Sequence, residues 1–165
     1  MEFERNMTSK EIQLEVLSLN LLINRQSEIY KLLAKENHIV FKTIISDKQF
    51  FFQLNQPLFI EAMDNLFSIA LQAAGERGQI QIGLSANGGN ATILLSYSGT
   101  KPSVESQNNT LSRHSENKIQ SDNSGRELKF YVAEKIIKLH KGKIWSDSST
   151  EGTTFYIELN KGIIL

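Results

Sequence analysis

The tetrapeptide Asn87-Gly88-Gly89-Asn90 constrains this chain more than any other stretch. Two glycines between asparagines supply the positive φ angles that a two-residue hairpin turn requires. Gln79-Ile80-Gln81-Ile82-Gly83-Leu84 precedes them and Ala91-Thr92-Ile93-Leu94-Leu95-Ser96 follows, and both read as strands. Strands joined this way are antiparallel, so the fold contains a hairpin with one face turned toward a core. Upstream, Pro57 suits the first turn of a helix, where its missing N–H has no partner to lose. The spacing predicts a helix to about Ala74, with Phe59, Ala62, Met63, Leu66, Phe67, Ala70 and Ala73 on its core face and Gly75 to Gly78 ending it.

Toward the N-terminus, Thr8-Ser9-Lys10-Glu11 has capping-box form and predicts a helix from about Ser9 to Lys35. Ile12, Val16, Leu19, Ile23, Gln26, Tyr30 and Leu33 alternate steps of four and three, the spacing of a seam that faces a partner helix. Leu14, Leu17, Leu21 and Leu22 add a second apolar row, so residues 1–36 are expected to form an amphipathic dimerisation or docking helix. Its alternative is a long helix packed on its own domain. The period changes at His38: His38 to Ile45 and Phe50 to Leu54 read as strands.

After the hairpin, periodicity stops. Residues 99–124 are dominated by Ser, Asn, Gln, Lys and Thr, and a loop of that length reads as a flexible, lid-like insertion. A helix is predicted from about Arg126 to His140, packing through Leu128, Val132, Ile136 and Leu139, with Ala133 and Ile137 beside them. Lys143 to Ser148 and Thr153 to Leu159 close the chain as strands around the turn Thr150-Glu151-Gly152. This order of elements describes an α/β two-layer sandwich, a mixed and mainly antiparallel sheet covered by helices on one face. A second unit, 37–165, is expected to carry it.

Composition excludes several classes. Lysines and arginines number 18 and so do aspartates and glutamates, scattered along the chain, which gives no electrostatic footprint for nucleic acid or a membrane surface. No cysteine means no disulfide framework and no thiolate chemistry, and no apolar run is long enough to span a bilayer. A cytoplasmic protein is expected.

Asp64-Asn65-Leu66-Phe67, Leu139-His140-Lys141-Gly142 and Gly152-Thr153-Thr154-Phe155 carry a resemblance. From about His38 to Leu159 the chain resembles the ATP-binding catalytic domain of sensor histidine kinases, the GHKL or Bergerat fold shared with gyrase and the mismatch-repair MutL ATPases. The resemblance implies an ATP site whose residues are partly replaced. Of two asparagines four apart on the first site helix, Asn65 fills one position. Ile69 stands at the other, the implied magnesium ligand, and has no lone pair for a hard cation. Gln72 falls where a basic residue is implied. Tyr97, in Tyr97-Ser98-Gly99, takes the place of the adenine-reading Asp, with Gly99 retained. In Gly125-Arg126-Glu127-Leu128-Lys129-Phe130 only Gly125 remains of a glycine-rich phosphate cradle, with Glu127 bringing a carboxylate there and Arg126 and Lys129 offsetting it. Thr153 completes the vestigial set. Neither His38 nor His114 has the context of a phosphoacceptor, and His140 reads as a helix-terminus residue.

Three functions follow from this pattern. The leading one is a two-component regulatory or protein-interaction module with lost or weakened ATP binding, no resident cofactor or metal, and no enzymatic activity. Its partners would be a histidine kinase or a response regulator, with a homodimer through the N-terminal helix. The second is an active ATP-dependent protein-histidine kinase domain in which Asn65, Gly99, Gly125 and Arg126 hold Mg-ATP. The third is a phosphotransfer scaffold that docks a response regulator.

Overall fold

A computed structural model of the chain describes residues 12–98 and 121–164. The hairpin forms, with Gly88 but not Gly89 at positive φ. Strands β4 (Gln79–Asn87) and β5 (Asn90–Ser98) pair antiparallel from Gln79 opposite Ser98 to Asn87 opposite Asn90, and Gly88 takes φ 65 at the tip. Helix α2 (Gln56–Ala74) is capped by Asn55, whose side chain accepts from the Leu58 amide at 3.0 Å, with Pro57 in its first turn. All seven residues expected on its core face are buried, and Ile69 joins them.

The N-terminal segment departs from the expected helix. Its capping box, Thr8 to Glu11, lies outside the described residues. Glu15–Ser18 is a strand, β1, paired antiparallel with β3 (Phe50–Leu54), and the helix α1 runs only from Leu19 to Glu36. Ser18 is the observed cap, accepting from the Leu21 amide at 3.3 Å. Ladder bonds to Phe51 through Leu54 give the preceding residues a partner that local helical period does not reveal. The seam divides accordingly: Leu19, Ile23, Gln26 and Tyr30 are buried in this chain's own core, while Val16 and Leu33 are exposed. Asn20, 2% exposed, holds the 46–50 connection by donating to the carbonyls of Ser46 and Lys48 and accepting from the Phe50 amide. The buried Tyr30 hydroxyl donates to Asp64 Oδ1 at 2.6 Å, and burial together with that carboxylate raises its pKa.

His38 proves to be the left-handed residue after α1, at φ 59, and β2 runs from Val40 to Ile45. The last helix, α3 (Ser121–Leu139), starts five residues before its expected beginning, inside the segment expected to be loop; residues 99–120 lie outside the described residues. Its buried face is Glu127, Phe130, Ala133, Ile136 and Ile137, and Leu128 is exposed. Of the residues expected to pack, Ala133, Ile136 and Ile137 are on this face. Phe130 turns the helix onto this face by packing on Phe155, ring centroids 5.8 Å apart.

Strands β6 (Lys143–Ser149) and β7 (Gly152–Leu159) complete a five-stranded sheet in the order β2-β4-β5-β7-β6, parallel only between β2 and β4. A short strand β8 (Ile163–Ile164) adds to β3, giving a small sheet β1-β3-β8. One continuous core joins α1, α2 and α3 to the inner face of the large sheet through Ile80, Ile82, Leu95, Phe155 and Ile157. This is the two-layer sandwich that the pattern of elements implied.

Candidate functional site

Helices α2 and α3 meet over the end of the sheet where β5 finishes and β7 begins. On α2, Asn65, Ile69 and Gln72 follow one another at helical spacing but have different surroundings. Asn65 is half-buried, Ile69 is fully buried in the core, and Gln72 is exposed. As ligands for a hard dication they fit poorly, since the central residue offers no oxygen and is turned into apolar packing. The described residues contain no group of three His, Asp or Glu placed to hold a metal ion.

Tyr97 and Thr153 are direct neighbours across β5 and β7, and both are buried. Tyr97 packs against Phe155 at 6.0 Å between centroids, and Phe155 against Phe130, so an aromatic chain fills the space beneath α3. Thr153 shares a 2.9 Å hydrogen bond with the Ser148 hydroxyl. Gly152 holds the start of β7 close to Tyr97. Its φ is 151, and a Cβ there would stand 2.0 Å from the Tyr97 carbonyl oxygen, so no other residue fits.

The phosphate-cradle expectation meets a different geometry at Gly125. A helix leaves its first four amides free, and α3 begins at Ser121, so Gly125 lies beyond them with its amide committed to the helix ladder. A Cβ at Gly125 would meet none of the described residues within 4 Å. Among the described residues the half-buried Arg126 finds no partner for its Nε, nor the 5% exposed Glu127 for its Oε1. Lys129 reaches across to α2, where its Nζ donates to Ser68 Oγ at 2.7 Å. That bridge abuts Ile69 in sequence and ties α2 and α3 together.

The structure thus gathers Tyr97, Thr153, Glu127 and Lys129 around one helix junction and places Ile69 in the core beneath it. Gly99 lies outside the described residues. Ser68 and Ser148 were not singled out from the sequence, because a serine's partner across two elements leaves no local signal. His140 is committed elsewhere. Its Nδ1 donates to the Ile136 carbonyl at 2.8 Å and its Nε2 accepts from the Asn55 amide at 3.0 Å, joining the end of α3 to the cap of α2. Burial lowers its pKa, against the opposing pull of the Ile136 carbonyl.

No helix among the described residues is long and apolar enough to cross a membrane. The chain is 24% identical over 133 residues to the sensor histidine kinase WalK of Bacillus subtilis (strain 168), a match that covers 77% of this chain and 22% of that protein's length. The nucleotide-free catalytic domain of histidine kinase ThkA superposes with a TM-score of 0.75 at 21% identity, over 91% of this chain and 97% of that one. Full-length ShkA in complex with AMPPNP gives a TM-score of 0.76 at 18% identity, over 95% of this chain and 33% of that one. A complex of ThkA with the response regulator TrrA gives 0.69 at 21% identity, over 90% of this chain and 42% of that one. These likenesses establish a shared fold. The profile of the histidine kinase-, DNA gyrase B- and HSP90-like ATPases matches residues 55–163, about two thirds of the sequence, and the chain belongs to that family.

Proposed function

We propose that this chain is a two-component signalling module of histidine-kinase type in which ATP binding is lost or weakened, and that it acts through protein contacts. The observation that carries this reading is Ile69, fully buried where the family resemblance implies the magnesium ligand. Without that oxygen the charge of a triphosphate has no metal to neutralise it, and the buried Glu127 carboxylate adds to the repulsion. The Lys129–Ser68 bridge supports the same reading, because the lysine's charge is already directed to α2.

The contact surface is argued from α1. Its inner face is spent on the core, but Leu21, Ile29 and Leu32 remain 60%, 48% and 65% exposed on its outer side. That row suits a docking partner such as a histidine kinase or a response regulator, and the ThkA–TrrA complex shows one histidine kinase bound to its regulator. Calorimetric titration with ATP, ADP and a non-hydrolysable analogue, with and without magnesium, tests the proposal. No magnesium-dependent heat is expected at micromolar nucleotide. Micromolar, magnesium-dependent binding would instead support an active kinase domain built on Asn65, Gly99, Gly125 and Arg126.

A further inference from the structure

The outward face of the large sheet carries a pattern that the helix-side site does not use. Strand register places Ile44, Gly83, Leu94, Tyr156 and Trp145 in one row across all five strands. Ile44 is 64% and Trp145 43% exposed, Trp145 stacks on Tyr156 at 5.3 Å, and Leu94 lies over Gly83. The adjoining row reads Lys42, Gln81, Ser96, Thr154, Asp147, with the lysine at one edge and the aspartate at the other. Beside Asp147 a cleft of about 280 Å³ opens, lined by Gln81, Thr154 and two carboxylates, Asp147 and Glu151, with no basic side chain among the described residues that line it. Among the described residues neither Lys42 nor Asp147 has an ion-pair partner.

We propose that two copies of this chain stack through this face, related by a two-fold axis that lies between the sheets and runs along β5. Such an axis exchanges the two edges, so Lys42 of each copy meets the acidic cleft of the other, twice over. In the apolar row Ile44 then faces Trp145 of the other copy, Gly83 faces Tyr156, and Leu94 faces its own equivalent. Aligned sheets cross at about 30°, which displaces residues two strands from the axis by about 5 Å, within the reach of a lysine side chain. An axis across the strands would set Asp147 over Lys143 but leave Lys42 without a counter-charge.

A second copy is the occupant because the pattern complements itself, and because a formal net charge of zero leaves no long-range repulsion between copies. Five strands roughly 4.8 Å apart and about 20 Å long offer on the order of 500 Å² per copy. That is less than the roughly 800 Å² per partner of a standard interface, so the dimer is weak and reversible.

Sedimentation velocity of the full chain from about 5 to about 500 μM, with emission read from its single tryptophan, tests this. The expected result is a mass rising toward the dimer, with Trp145 emission shifting to the blue over the same range. Asp147→Lys and Lys42→Asp, both exposed sites, should each weaken association about tenfold, and the double swap should restore it. A monomer with unshifted emission across the range overturns the proposal. So does a dimer that survives both reversals and is abolished by Leu32→Glu on α1, or one rescued from Asp147→Lys by Lys143→Asp in place of Lys42→Asp.

Discussion

Single residues carry the sharpest consequences of this backbone. Gly152 begins β7 at φ 151 against the Tyr97 carbonyl, so Gly152→Ala forces two backbone strands apart. The substitution should lower unfolding free energy by about 2–4 kcal/mol, read as a fall in the urea midpoint. Lys141 presents the opposite opportunity. It sits at φ 61 after α3, with its amide bonded to the Lys138 carbonyl and the Gly142 amide to that of Ile137. Glycine adopts this left-handed conformation without cost, so Lys141→Gly should stabilise by about 0.5–1 kcal/mol, measurable in the same titration. The sequence made Gly152 visible through its motif and Ile69 through its break with the expected pattern. It did not show that Gly125 lies within α3, because where a helix starts in a polar stretch depends on contacts that local composition does not encode.

Among elements, the joint between α2 and α3 turns on His140. Its ring bonds Asn55 and Ile136 and meets the Phe59 ring edge-on at 5.7 Å, so one side chain fixes a helix end, a helix cap and the packing between them. The Asn55 amide can donate only to an unprotonated Nε2. With the folded pKa lowered by burial, the unfolded chain takes up the proton first as pH falls. Stability is therefore full above the ordinary imidazole range and declines as pH drops through the folded-state pKa. Urea midpoints measured between neutral pH and mildly acidic pH should show this slope, and His140→Gln should flatten it while costing about 1–3 kcal/mol at neutral pH. Element identity was legible where one period dominated, as in α2 and the β4–β5 hairpin. It failed at Glu15–Ser18, where leucine and valine at helical spacing are drawn into a ladder with Phe51 to Leu54, some 35 residues away.

For the molecule as a whole, α1 is the test of where the domain begins. A boundary near residue 36 would treat the segment as an appendage, yet Leu19 and Ile23 are fully buried, Ala34 likewise, and Tyr30 stacks on Phe67 at 4.1 Å. Asn20 adds three hydrogen bonds to the 46–50 connection. Burial of a large apolar side chain contributes about 1.5–3 kcal/mol. Leu19, Ile23 and Tyr30 together approach the whole stability of a typical domain, about 5–15 kcal/mol. Deleting residues 1–36 should therefore leave a chain that melts without a cooperative transition and binds a hydrophobic dye, with Phe67 and the surface of α2 uncovered. Deleting only residues 1–11 should preserve cooperative melting, since the β1 ladder and every contact of α1 named above remain. If residues 37–165 alone melt as sharply as the full chain, α1 is a docking element and not part of the core. Calorimetry on the two truncations side by side separates these outcomes.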